Sequence, residues 1–220
     1  MLDDITDFKI VPQYKIRGTT YWVIVSGGER PVIRIRRDVS VRGSLGKLHR
    51  VFLDSNPDRW IGLVTDKAAY DFDKRKIGEI GNLGSSRGDL SDPFILAQDG
   101  REPLVGQPTG FMGSFLRLPG IGLLCTMLPA NPFFWIMAVV IGLSRIKFRF
   151  TGDGSRGFEM VKGALSNKFR VSIHDPELDR LLIFAAAISI QDDYGYSSPK
   201  KVLTELVSAF DPAAWKRSKA

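Results

Sequence analysis

Cysteine and histidine are both scarce in this sequence. The chain has one cysteine, Cys125, and two histidines that are far apart, His49 and His174. A single cysteine excludes an intramolecular disulfide framework and any multi-cysteine metal site. Two distant histidines do not indicate a histidine-rich metal centre either. We therefore expect no metal and no cofactor.

Two common motifs of nucleotide-binding and zinc sites are absent from the sequence. The phosphate-binding pattern G-x-x-x-x-G-K-[ST] and the zinc motif H-E-x-x-H are both missing. The glycines of residues 81–88 lack the strand-to-helix layout of a dinucleotide site, which favours a loop. Asp192 and Asp193 lack the loop spacing of an EF-hand. We predict that the protein is not an enzyme.

Acidic residues are fewer than basic residues in this chain, and the formal net charge is +7. That balance favours anionic partners such as acidic lipid headgroups or nucleic acid. The excess is concentrated between residues 29 and 50, and the candidate lipid- or anion-binding residues there are Arg34, Arg36, Arg37, Arg42, Lys47 and Arg50. The alternative interpretation is a set of solvated strand faces without a ligand.

No charged residue occurs between residues 118 and 144. The stretch is long enough to cross a bilayer, but Pro129 and Pro132 divide it into two apolar pieces that are each too short. Three interpretations remain: a hairpin or lid buried in protein, a re-entrant or interfacial membrane segment, and a transmembrane helix. If the stretch is interfacial, its membrane-contact residues would be Phe133, Phe134 and Trp135.

Short β-strands are predicted throughout the first half of the chain. Residues 21–25 are β-branched and aromatic, and residues 32–37 partly alternate apolar and basic side chains. A hairpin pattern then recurs at residues 70–81, 95–107 and 148–163. Each copy has an apolar strand, a polar turn with aspartate, a basic residue and a second strand. The repetition predicts serial antiparallel hairpins.

One wholly apolar helix follows these strands, at residues 175–195. Its central part, residues 181–190, has no charge and only one polar side chain, Ser189. A surface helix would show a single apolar stripe, so this helix must be enclosed. Crossing a bilayer takes roughly 20 apolar residues, which favours burial inside protein. We expect Asp175 to cap the helix and Pro176 to be its first residue.

Serial hairpins followed by an apolar helix resemble the tubby-like superfamily, which includes tubby domains, phospholipid scramblases and LURP-one-related proteins. The resemblance rests on the three aspartate turns, on KFRVSI at residues 168–173 and on DRLLIFAAAISI at residues 179–190. It implies a mainly β fold, a closed antiparallel barrel of roughly twelve strands around a central apolar C-terminal helix. A barrel wide enough to enclose a helix needs many strands. The expected organisation is an N-terminal arm (1–13), the barrel (14–195, with the insertion 118–144), and an amphipathic helix with a basic tail (196–220).

Two functions of different classes are compatible with these features. The first is a non-enzymatic scramblase-like or LURP-one-like protein that binds anionic phospholipid at the cytosolic face of a membrane. The second is a soluble structural or protein-interaction barrel with no lipid role. Nucleic-acid binding is less favoured, because aromatic residues are not interleaved with the basic ones as stacking platforms. The acidic start of the chain does not resemble a secretory signal, so we expect a cytoplasmic location.

Overall fold

The computed structural model describes residues 2–15, 18–37, 48–82, 93–110, 145–163 and 168–193. These residues form twelve strands and one helix. The strands are β1 (Asp7–Lys15), β2 (Gly18–Val25), β3 (Ile33–Arg37), β4 (His49–Leu53), β5 (Asn56–Val64), β6 (Ala68–Asp71), β7 (Lys76–Asn82), β8 (Phe94–Gln98), β9 (Leu104–Thr109), β10 (Ile146–Gly152), β11 (Ser155–Lys162) and β12 (Phe169–Ile173). The helix is α1 (Arg180–Asp193).

The strands form one closed antiparallel barrel in which each strand pairs with its neighbours in sequence. The last strand closes on the first, with Asp7 opposite Ser172 and Ile10 opposite Phe169. Closure leaves no unpaired sheet edge, which is the usual entry point for aggregation. The predicted mainly β barrel of about twelve strands is confirmed.

Strand alternation decides which side chains face the core. In β3, Ile33 and Ile35 are fully buried, whereas Arg34 is half-buried and Arg36 is exposed. This period of two is the pattern from which the strand was predicted. The repeated hairpins are also present as β6–β7, β8–β9 and β10–β11. Two of their turns place a glycine in the left-handed region, Gly100 at φ 77° and Gly154 at φ 75°.

The N-terminal boundary of the barrel differs from the expectation that residues 1–13 form an arm. β1 starts at Asp7, and Phe8 and Ile10 point into the core. Pro12 lies within this strand, although proline cannot donate a hydrogen bond to the ladder. The strand nevertheless forms, with Pro12 opposite Tyr21 in β2.

Helix α1 lies in the lumen of the barrel. The Phe184 ring contacts the Phe8 ring of β1 at 5.5 Å between centroids, and Leu182 packs against Gly78 of β7. β1 and β7 are on opposite walls of the closed barrel, so one helix that contacts both must be central. Its side chains from Leu181 to Ile190 are all buried. A helix surrounded by apolar walls needs no polar face, which explains its uniform composition.

The helix begins at Arg180, four residues later than its predicted first residue Pro176. Asp179, and not Asp175, is the N-cap, because its carboxylate accepts a hydrogen bond from the Leu181 N–H at 2.7 Å. Asp175 is buried and bound elsewhere: Arg101 donates to it at 2.8 Å, and the Ser155 hydroxyl also donates to it. These contacts come from β11 and from the turn after β8, so local sequence could not reveal them.

Candidate anion-binding face

Three of the predicted basic residues lie together on the outer wall of β3 and β4. Arg36 is directly opposite Arg50 across the two strands, and Arg34 is opposite Phe52. Arg34 and Arg36 alternate with the buried Ile33 and Ile35, so both point outward. We call the outward side chains of Arg34, Arg36 and Arg50 the arginine face.

Arg34 is held in place by its neighbours. Its guanidinium carbon lies 5.2 Å from the centroid of the Phe52 ring, and its Nη2 donates to the Pro57 carbonyl oxygen at 3.0 Å. A guanidinium over an aromatic ring gains a cation–π attraction. Arg34 therefore offers a fixed positive charge at one side of the arginine face.

Arg36 and Arg50 place two positive charges directly across a strand pair, and both side chains are exposed. Within the described ranges, no carboxylate forms an ion pair with Arg36. Like charges directly opposite each other destabilise a sheet. Guanidinium groups bind phosphate and carboxylate oxygens well, so two of them side by side suit an anionic ligand.

Among the other predicted site residues, the structure describes only Arg37, and Arg37 is not on the arginine face. Arg37 shares the inward alternation of Ile33 and Ile35, and it is exposed at the end of β3 opposite the buried His49. Arg42 and Lys47 fall outside the described residues, as do the predicted membrane-contact residues Phe133, Phe134 and Trp135. The whole uncharged stretch 118–144 is outside them as well.

An aromatic groove adjoins the arginine face, and sequence reasoning missed it. Its lining residues are Leu53, Asn56, Arg59, Trp60, Ile61 and Phe72, and its volume is about 270 Å³. The Trp60 and Phe72 rings are 4.7 Å apart between centroids, and the Arg59 guanidinium lies 5.4 Å from the Phe72 centroid. Phe72 is 46% exposed, so one aromatic ring of the groove faces solvent. Its position next to a polar turn, Asp71 to Arg75, was the only signal in the sequence.

The buried charges elsewhere are structural. Burial on its own raises the pKa of the Asp175 carboxyl, but hydrogen bonds from Ser155, the Glu177 N–H and Arg101 outweigh burial and lower that pKa. Arg180 is buried and donates to the carbonyl oxygens of Ile5 and Pro176, both at 3.0 Å. These contacts fasten the N-terminal segment and the helix start to one end of the barrel.

One stretch of sequence, GSSRG at residues 84–88, spells the G-x-S-x-G letters of a hydrolase nucleophile. In those hydrolases the serine stands on a sharp turn between a strand and a helix of an α/β sheet. These five residues are outside the described ranges, between β7 and β8, which pair with each other antiparallel. The strands on either side therefore do not provide the α/β sheet that this motif requires.

Among the described side chains, no three histidine, cysteine, aspartate or glutamate residues group closely enough to share a metal ion. In the same part of the chain, no helix has the length and apolar content needed to cross a bilayer. Comparison of the chain with protein-family models, curated proteins and solved structures found no match.

Proposed function

We propose that this barrel is a non-enzymatic protein that binds anionic phospholipid headgroups at the cytosolic face of a membrane, through the arginine face. The observation that carries the proposal is the pair Arg36 and Arg50, two exposed guanidinium groups in register on adjacent strands. The resemblance to the tubby-like superfamily, some of whose members are lipid-associated, agrees with it.

The chemistry of the arginine face suits binding rather than catalysis. A guanidinium group stays protonated at any ordinary pH, so it cannot act as a general base. Near an anionic leaflet, each basic side chain gains roughly 1 kcal/mol. The Arg34, Arg36 and Arg50 side chains share one outer wall, so a flat membrane can reach all three at once.

The decisive experiment compares two double variants of the full chain that lose the same charge. Arg36→Gln with Arg50→Gln removes the facing pair, while Arg156→Gln with Arg170→Gln removes two exposed arginines from β11 and β12. Each protein is sedimented with vesicles of phosphatidylcholine alone or of phosphatidylcholine and phosphatidylserine in equal parts. At roughly 1 kcal/mol per side chain, the first variant should bind the anionic vesicles roughly thirtyfold more weakly than the parent. The control should bind nearly as well as the parent.

Salt provides a second arm of the same measurement. The Debye length falls from about 10 Å at 0.1 M to about 3 Å at 1 M ionic strength, so binding should weaken as salt rises. Equal loss in both double variants would mean that total charge matters and the arginine face does not. Equal binding of the parent to neutral and anionic vesicles would overturn the proposal and favour the protein-interaction barrel.

The predicted contact by Phe133, Phe134 and Trp135 is a separate part of the proposal. It is tested in a full chain whose only tryptophan is Trp135, with Trp22, Trp60 and Trp215 changed to phenylalanine. Brominated acyl chains in the anionic vesicles should quench its fluorescence if the segment enters the interface, where tryptophan is favoured. Unchanged fluorescence on binding would exclude this contact and favour a protein-packed 118–144 stretch.

A further inference from the structure

We propose that the aromatic groove enters the interfacial layer of an anionic bilayer while the arginine face binds the headgroups. The inference rests on the proposed function and deepens it. It assigns the apolar part of the contact to Trp60 and Phe72, which the sequence did not single out. It also fixes which wall of the barrel faces the membrane.

The two surfaces are continuous along one row of strand partners. Arg34 is opposite Phe52 on β4, and Phe52 is opposite Trp60 on β5. Trp60 in turn contacts Phe72, just after β6. The Arg36–Arg50 pair is the next outward position along β3 and β4, roughly 7 Å away at the usual rise of a strand. A single planar partner can therefore contact the arginines and the rings together.

Charge and polarity in the groove match the bilayer interface. Arg34 lies over Phe52 and Arg59 over Phe72, so each guanidinium group rests on an apolar ring. Tryptophan and other amphipathic rings favour the headgroup level, and arginine keeps its charge in the polar layer while its stem covers apolar surface. These pairs place apolar rings beside cations, and the bilayer interface offers a partner for both.

Carboxylates close to the groove in sequence are Asp54, Asp58, Asp71 and Asp73. Asp54, Asp58 and Asp73 are exposed, and Asp71 accepts a hydrogen bond from the Arg75 N–H at 2.8 Å. They weaken attraction to an anionic surface. The apolar contribution of Trp60 and Phe72 is therefore needed if this wall is to be the one that faces the membrane.

The depth of Trp60 is the direct test. The full chain is prepared with Trp60 as its only tryptophan, by changing Trp22, Trp135 and Trp215 to phenylalanine. A matched control has all four native tryptophans changed to phenylalanine and carries Thr151→Trp as its single tryptophan. Thr151 is exposed on β10, which lies across the barrel from β4. Both are mixed with vesicles of equal phosphatidylcholine and phosphatidylserine whose acyl chains carry bromine. Trp60 should be quenched on binding, and the control tryptophan should not.

Phe72 supplies an independent readout. Phe72→Ala removes the exposed ring and should weaken anionic-vesicle binding roughly tenfold, from the lost apolar burial. Phe72→Tyr keeps an aromatic ring and adds only a hydroxyl at its tip, so it should bind like the parent. Thermal melting of each variant checks that the barrel is intact, and the Trp60 measurement does not depend on either variant.

The possible outcomes separate this inference from the proposed function. If anionic binding still depends on Arg36 and Arg50, but Trp60 is unquenched and Phe72→Ala binds normally, the groove inference is overturned and the proposed function stands. Equal quenching of Trp60 and of the tryptophan at position 151 also overturns it. If the parent does not prefer anionic vesicles, the proposed function fails and this inference fails with it.

Discussion

Arg36 and Arg50 lie directly opposite each other on the outer wall of the barrel, on β3 and β4. Two like charges in this position cost stability that a cross-strand ion pair would instead contribute. Arg36→Glu should therefore raise the free energy of unfolding by about 0.5 kcal/mol in urea unfolding. The same change should reduce binding to anionic vesicles.

A matched variant, Arg36→Gln, separates these effects. It removes the repulsion without adding an ion pair, so its stability should lie between that of the parent and that of Arg36→Glu. A loss of stability in both variants would mean that Arg36 makes a structural contribution, and the pair would no longer indicate an anion site.

Alanine substitutions at two glycines of β7 test the contact between α1 and the barrel wall. A Cβ at Gly78 would lie 2.9 Å from Leu182 Cδ2 and closer still to the Ala97 carbonyl oxygen, whereas a Cβ at Gly81 would meet nothing within 4 Å. Gly78→Ala should lower the free energy of unfolding by about 1–3 kcal/mol through overpacking. Gly81→Ala should change it by less than about 0.5 kcal/mol. Equal effects in urea unfolding would contradict the close approach of α1 to β7.

Asp179 tests where the helix begins. Asp179→Ala removes the cap and should cost about 1 kcal/mol, while Asp179→Asn keeps an acceptor for the Leu181 N–H. Burial raises the pKa of the Asp179 carboxyl, with the nearby Asp3 raising it further, against hydrogen bonds from the Leu181 and Leu182 N–H groups and the charge of Arg180.

The folded state therefore holds the Asp179 proton more tightly than the unfolded chain does. Stability falls as pH rises from the ordinary carboxyl value of 3.8 through the raised pKa. Asp179→Asn lacks this loss, so it should be at least as stable as the parent at neutral pH. Urea unfolding at acid and neutral pH measures the difference; an asparagine variant as weak as Asp179→Ala would show that the charge itself is needed.

Because Lys162 is buried, we expect the free energy of unfolding to depend on pH in the alkaline range. Its side chain is fully buried on the inner side of β11, and burial lowers its pKa from 10.5 to about 8. Between these two values the unfolded chain binds more protons than the folded protein, so the contribution of Lys162 to stability rises with pH. Below pH 8 both states are protonated and the slope vanishes.

The measurement is the difference in free energy of unfolding between the parent and Lys162→Met, taken by urea unfolding from neutral to alkaline pH. That difference should shift in favour of the parent as pH rises from about 8 to 10.5. A difference that stays constant across this window would contradict the desolvated lysine.

Several elements of this barrel could be predicted from local patterns in the sequence. Alternation at Ile33, Arg34, Ile35 and Arg36 indicated both the strand and its outward side, because side chains in a strand point to opposite faces in turn. The uncharged run from residue 181 to 190 indicated an enclosed helix, because no polar side was available for water. The aspartate turns marked three hairpins, because their residues tolerate the backbone that a tight turn needs.

Features that depend on strand register and on distant partners could not be predicted from local sequence. Asp175 has the local pattern of a helix cap, but Arg101 from the turn after β8 and Ser155 from β11 hold it, and Asp179 caps the helix. Strand β1 begins inside the expected N-terminal arm, because barrel closure pairs its residues Asp7 to Ile10 with β12. Arg36 and Arg50 became a facing pair, and Trp60 and Phe72 one groove, because strand register brings together residues that are separate in sequence.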